Sequence, residues 1–284
     1  MRIGIYDPYL DTGGGGERYI LAVAEVLKRN GWSVDLQWKD PKILRWLSVR
    51  TWRDYSGINV VSSVSNGSGY DLIFWLSDGS VPLLFSKKNL IHFQTPFQEV
   101  GGKNILNRIK FIKVRGVICN SNFTKSFIDK EFGVKSIVLY TPVSTKEFSP
   151  VKKENIILYV GRFSTLQQSK RQDVLIKCFK KLNLKDWRLI LAGGSEVGGK
   201  ELVQDLKKLA KGTNIDIVEN LPFDEVKKLY SKAKIFWSAA GYGVKEEESP
   251  EKVEHFGMTL VEGMATGVVP LATNKGGYKE VIKS

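Results

Sequence analysis

Cysteine and histidine are scarce in this chain, with two of each among 284 residues. Cys119 and Cys178 both sit in apolar surroundings, so buried free thiols in a reducing compartment are expected rather than a disulfide framework. No Cys/His cluster has the spacing of a zinc site. Long apolar runs are also missing, and none approaches the roughly 20 residues of a membrane-crossing helix. The chain opens directly on a strand-like MRIGIY, without a signal-peptide layout, so a cytoplasmic location is expected. The run Gly13, Gly14, Gly15, Gly16 fails the G-x-G-x-x-G pattern, because Tyr19 stands where the third glycine should be. That argues against a nicotinamide cofactor.

Acidic residues are outnumbered, and the net charge is +13. Residues 1–150 carry 20 basic and 13 acidic side chains, and the remainder carries 23 and 17. The excess is therefore spread over both halves. It suits a nucleic acid, a membrane surface or an acidic small ligand. No nucleic-acid recognition motif or aromatic–basic strand pattern is present, so no nucleic-acid partner is expected. The sharpest local bias is 103–115, with Lys103, Arg108, Lys110, Lys113 and Arg115 and no acid. Ile105, Leu106, Ile109 and Ile112, with Phe111 as a further candidate member, interleave at near-helical spacing. Two readings stay open: a basic amphipathic helix lying on an anionic membrane, or a domain helix with its apolar stripe in the core.

Short runs rich in Ile, Val and Leu alternate with helical patterns. Strands are expected at 2–6, 33–37, 59–62, 72–75, 90–93, 116–120 and 136–139, with helices at 16–29, 41–49, 103–114 and 122–132. The stretch 141–155, with Pro142 and Pro150, breaks the pattern and reads as a linker. Strands resume at 156–160, 188–192, 215–218, 235–237 and 268–272, with helices at 171–181, 200–211, 223–231 and 259–266. Such alternation predicts an α/β fold of two Rossmann-like, doubly wound domains, 1–145 and 146–284, facing across a cleft.

Two segments carry the chemistry. In EHFGMTLVE, Glu254 and Glu262 flank a loop-to-helix junction, with Thr259 as the expected N-cap. A helix N-terminus suits a phosphate. The two carboxylates suit hydroxyls on either side of a diphosphate, the layout of a nucleotide-sugar. In NIILYVGRFSTLQQSKRQDVLI, a strand and a turn at Gly161 deliver Arg162, and the following loop ends with Lys170 and Arg171. Fixed cations suit a diphosphate. The acidic run Glu246 to Glu248 reads as a solvated loop, since three adjacent carboxylates cannot converge on one ion unaided.

These segments, with IYDPYLDTGGGGERYILAVAEVL, NLIHFQTPF, VICNSNFTKSFI and YTPVSTKEFSP, resemble the retaining glycosyltransferases of family 4, which have the GT-B fold. The Gly-Gly-Gly-Gly-Glu-Arg and His-Phe-Gln-Thr-Pro stretches are most similar to α-1,2-mannosyltransferases acting on lipid-linked oligosaccharides. The resemblance implies that Arg162 and Lys170, beside Gly161, bind the donor diphosphate. It implies that Glu254, with the backbone of Phe256, Gly257 and Met258 and the helix start at Thr259, holds the donor sugar, and that Glu262 holds the ribose. It places His92 near the transferred sugar and Gly13 to Gly16 near the diphosphate and acceptor. The chain stops in NKGGYKEVIKS, short of the further strand and closing helices of the family pattern. The implied reaction moves a hexose, mannose or glucose, from GDP- or UDP-hexose to a sugar or lipid-linked acceptor, without metal or cofactor. A nucleotide-sugar-binding protein without transfer activity, or a GT-B epimerase or hydrolase, is the alternative.

Overall fold

The computed structural model describes residues 1–51, 53–165, 170–195 and 198–283. The chain divides into two compact units, Met1–Pro142 and Val143–Ser284. The first holds β1 (Arg2–Tyr6), α1 (Gly15–Arg29), β2 (Ser33–Gln37), α2 (Ile43–Thr51), β3 (Asn59–Val61), β4 (Leu72–Leu76), β5 (Lys88–Phe93), α3 (Ile105–Phe111), β6 (Val114–Cys119), α4 (Asn122–Phe132) and β7 (Ile137–Val138). Its strands are all parallel, in the order β3-β2-β1-β4-β5-β6-β7. Ile3 and Ile5 of β1, Leu36 of β2, and Leu72 and Leu76 of β4 share one buried core with α1, which contributes Tyr19, Ile20, Leu21 and Ala24. Their spacing fits one helical face. α4 begins where the Ser121 side chain accepts the Thr124 N–H and ends at left-handed Gly133, as its sequence signals direct.

α3 is the element that departs most from expectation. Its N-cap is Asn104, whose side chain accepts the Asn107 N–H at 2.8 Å. It ends by Ile112 because Val114 already pairs with Asn89 in the sheet, and the Asn89 amide donates to Lys113 O at 2.8 Å.

The second unit holds β8 (Ile156–Val160), α5 (Gln172–Leu182), β9 (Arg188–Gly193), α6 (Gly199–Ala210), β10 (Ile215–Glu219), α7 (Phe223–Lys232), β11 (Ile235–Ser238), α8 (Met258–Ala265), β12 (Val269–Ala272) and α9 (Tyr278–Val281). Its parallel order is β10-β9-β8-β11-β12. Strand order reverses between β8 and β11, and open α/β sheets bind ligands beyond the strand ends at such a point. Phe148, from the stretch read as linker, packs edge-on against Phe223 and Tyr230 in this second core. Cys119 is buried, Cys178 is half-buried, and both are free. Among the described residues no helix is long and apolar enough to cross a membrane.

Candidate active site

In the second unit, β8 ends at Val160 and hands the chain to Gly161 and Arg162. The β9 loop lies against this turn: Gly161 N–H donates to Ala192 O at 2.9 Å and Phe163 N–H to Gly194 O at 2.8 Å. A Cβ on Gly193 would fall 1.9 Å from Gly161 O, so only glycine permits this approach. After the loop, Lys170 Nζ donates to Glu254 Oε2 at 2.8 Å. Burial pushes the Glu254 carboxyl up, but the Lys170 charge, its hydrogen bond and the Phe256 N–H outweigh this, and the net shift is down. The acid is therefore ionised at neutral pH. Burial pushes the Tyr159 and Tyr278 phenols up, and the Glu254 charge adds to both shifts; Arg162 opposes that of Tyr159. These causes place Arg162, Tyr159, Lys170, Glu254 and Tyr278 in one electrostatic neighbourhood.

Arg171, expected as a second loop cation, is spent on structure. It pairs with Asp173 at 3.0 Å and donates to Tyr242 O at 2.8 Å. Lys170 is the cation aimed at Glu254.

The helix start differs by two residues from the sequence-based expectation. The N-cap of α8 is Gly257, left-handed at φ 99°, with no side chain capping it; Thr259 lies inside the helix. Gly257 turns the chain so that Met258 opens the helix, and the uncapped first turn presents its N–H groups. Glu262 lies one turn on, 2% exposed, and its Oε2 accepts the Tyr230 hydroxyl at 3.1 Å.

Sequence reasoning overlooked what holds this loop. Gly277 N–H donates to Glu254 O at 2.8 Å. A Cβ on Gly276 would fall 2.1 Å from Glu254 O, and one on Gly277 would fall 2.3 Å from His255 O. The pair Gly276-Gly277 thus lets the chain after β12 press flat against the Glu254 loop. Glu246, read as solvated, turns inward instead. It accepts Gly276 N–H at 2.7 Å and pairs with Lys279. The Tyr278 hydroxyl donates to Ser238 Oγ at 2.8 Å.

The remaining expected residues lie in the first unit, at one end of its sheet. Gly14 N–H donates to Glu17 Oε2 at 2.6 Å, which Thr12 Oγ1 also reaches at 2.7 Å. Gly16 is held by Gln94, whose Nε2 donates to Gly16 O at 3.1 Å. A Cβ on Gly16 would fall 2.3 Å from Gln94 Oε1.

His92, expected to enter a cleft from its strand end, has no exposed surface. Tyr19 stacks on its ring at 4.3 Å and Phe74 tilts against it at 5.3 Å. Nδ1 lies 3.2 Å from Ile118 O, which assigns the proton to Nδ1 and leaves Nε2 as an acceptor. Burial pushes its pKa down to about 3. The ring is therefore neutral, suited to accepting a hydrogen bond and unsuited to supplying a proton near neutral pH.

A carboxyl that the sequence reading passed over stands nearby. Asp7 directly follows β1, is 1% exposed, and its Oδ1 accepts Tyr9 N–H at 2.9 Å. Burial, then the Glu17 charge, pushes it up to about 8. Its position after the first strand was the one available sequence signal.

The sequence profile of the family described as "Glycosyl transferases group 1" matches residues 143–284, which is the unit that holds the Lys170–Glu254 pair. The chain belongs to the group 1 glycosyl transferases. Among curated relatives, it is 28% identical over 194 residues to the GDP-Man:Man(3)GlcNAc(2)-PP-Dol alpha-1,2-mannosyltransferase of Dictyostelium discoideum, covering 61% of this chain and 35% of that protein. It is 35% identical over 152 residues to the Xenopus tropicalis enzyme of the same name, covering 51% of this chain and 26% of that one. The chain thus spans about a third or less of these relatives' length. Anabaena HepE, solved with UDP and glucose, superposes with TM-score 0.71 at 15% identity, over 100% of this chain and 83% of that one. That likeness identifies the fold of this glycosyl transferase as GT-B.

Proposed function

We propose that this group 1 glycosyl transferase moves a hexose from a nucleotide-sugar to a glycan or lipid-linked acceptor, with retention of configuration. The observation that carries the reading is the enclosed Lys170–Glu254 pair beside Arg162 and the N-terminus of α8. An ammonium has three donors, so Lys170 can hold Glu254 and a phosphate oxygen together. In this reading Arg162, Lys170 and the α8 N-terminus meet the charge that develops on the leaving diphosphate. Glu254 orients the sugar and Glu262 the ribose. The acceptor oxygen forms its bond to the anomeric carbon on the face from which the diphosphate oxygen departs. The acceptor proton passes to that leaving phosphate. GDP-mannose is the proposed donor, supported by the names of the Dictyostelium and Xenopus relatives.

Thermal shift with GDP-mannose, UDP-glucose and other nucleotide-sugars tests donor choice. At roughly 100 times Kd a donor should add about 2.7 kcal/mol of stability. NMR of the product's anomeric centre tests retention. A shift without turnover would indicate a binding protein, and free sugar without acceptor would indicate a hydrolase. No shift with any nucleotide-sugar would defeat the reading.

A further inference from the structure

A core role for α3 would turn Ile105, Leu106, Ile109 and Ile112 inward, but the structure turns them outward. They are 74%, 64%, 55% and 82% exposed. The inward positions are Asn107, which is buried, and Phe111, which packs edge-on against Phe132 at 6.0 Å. Phe85, also exposed, adjoins this face, because Lys113 Nζ lies 4.9 Å from its ring centre.

The face is firmly mounted. The Glu131 carboxylate accepts the N–H groups of Glu99, Val100 and Gly102 at 3.0, 3.1 and 2.9 Å. Asn104 caps the helix, and Lys110 Nζ donates to Val81 O at 2.7 Å. Exposure of the aliphatic side chains therefore belongs to a packed element. Exposed Lys103, Arg108, Lys113 and Arg115 surround them, with no acid between Gly101 and Gly116.

We propose that this face docks on an anionic lipid bilayer. The aliphatic side chains enter the boundary between headgroups and acyl chains, and the cations meet the lipid phosphates and carboxylates. A helix of seven residues lies on such a surface and is far too short to cross it. The cations decide the occupant. A second copy seated on this face by two-fold symmetry would set cations against cations, with no acid in the segment to answer them.

Co-sedimentation of the 284-residue chain with phosphatidylcholine vesicles, with and without phosphatidylserine, tests this. Binding is expected to the anionic vesicles and to fall about fivefold for each of Lys103, Arg108, Lys113 and Arg115 changed to Ala. The variant I105S/I109S/I112S should lose about tenfold or more. Its melting temperature should hold, because the replaced side chains are already in water. Equal binding to both vesicle types, binding to neither, or unchanged binding of the serine variant would overturn the proposal. So would a dimer in solution that the serine variant abolishes. The readout is lipid binding, so its outcome is independent of donor binding and turnover.

Discussion

Lys170 Nζ and Glu254 Oε2 are 2.8 Å apart, and only 11% and 15% of the two side chains are exposed. Each charge is tolerable there because the other is present. Removing one partner from an enclosed pair typically costs about 3–5 kcal/mol. Lys170→Ala and Glu254→Ala should therefore each lower Tm, and the double variant should lose less than the sum. Thermal melts of the four proteins give the coupling directly. Additive losses would show that the pair is not coupled. Glu254→Gln should also cut transfer by about 10²–10³. Because the Glu254 pKa is lowered, the pair's stabilisation is full above the ordinary carboxylate pKa of 4.5 and is lost as pH falls through the native value.

Asp7 titrates in the opposite sense. Its pKa is raised from 3.8 to about 8, so the native state holds a proton that the unfolded chain releases. Stability from this group is full below about 4 and declines as pH rises toward about 8. Asp7→Asn keeps the shape without the charge. Its Tm should exceed that of the parent at pH 9, with the gap closing toward pH 5. A gap that does not change with pH would refute the assignment.

Gly276→Ala and Gly277→Ala should each dislodge the Glu254 loop, because the added carbon would meet backbone rather than a movable side chain. Overpacking of this kind costs about 1–3 kcal/mol. The distinguishing result is loss of the nucleotide-sugar thermal shift beyond what the lower Tm explains. Retained donor affinity would mean that the loop position is immaterial to binding.

Glu131→Ala removes the acceptor for three backbone N–H groups. The segment is largely exposed, so water offsets part of the loss, and about 1 kcal/mol is expected. Hydrogen exchange should quicken at residues 99–102 and leave β8 untouched. Unchanged exchange would show that the carboxylate does not anchor the loop.

The regular framework was legible because local patterns set it. The strand bounds of β1, β2 and β8 and the helix bounds of α4 coincide with expectation. In each, a short apolar run or a Ser cap and a Gly stop act within a few residues. α3 differs from expectation in extent, and the sequence left its facing open between two readings, since its end is set by Asn89 in another strand and its inward side by Phe132. The Lys170–Glu254 contact spans 84 residues of sequence. Residue types announced both members, but pairing at that separation is a property of the folded sheet. His92 shows the same division. Its strand was readable, whereas the Tyr19 ring that encloses it arrives on a separate helix.

The ladder between β8 and β9 continues past both strands, through Gly161 to Ala192 and Phe163 to Gly194. The turn that carries Arg162 and the turn that carries Gly194 are consequently one ribbon. A displacement of the backbone at Arg162 would be relayed to the neighbouring turn through these hydrogen bonds, without any intervening side chain.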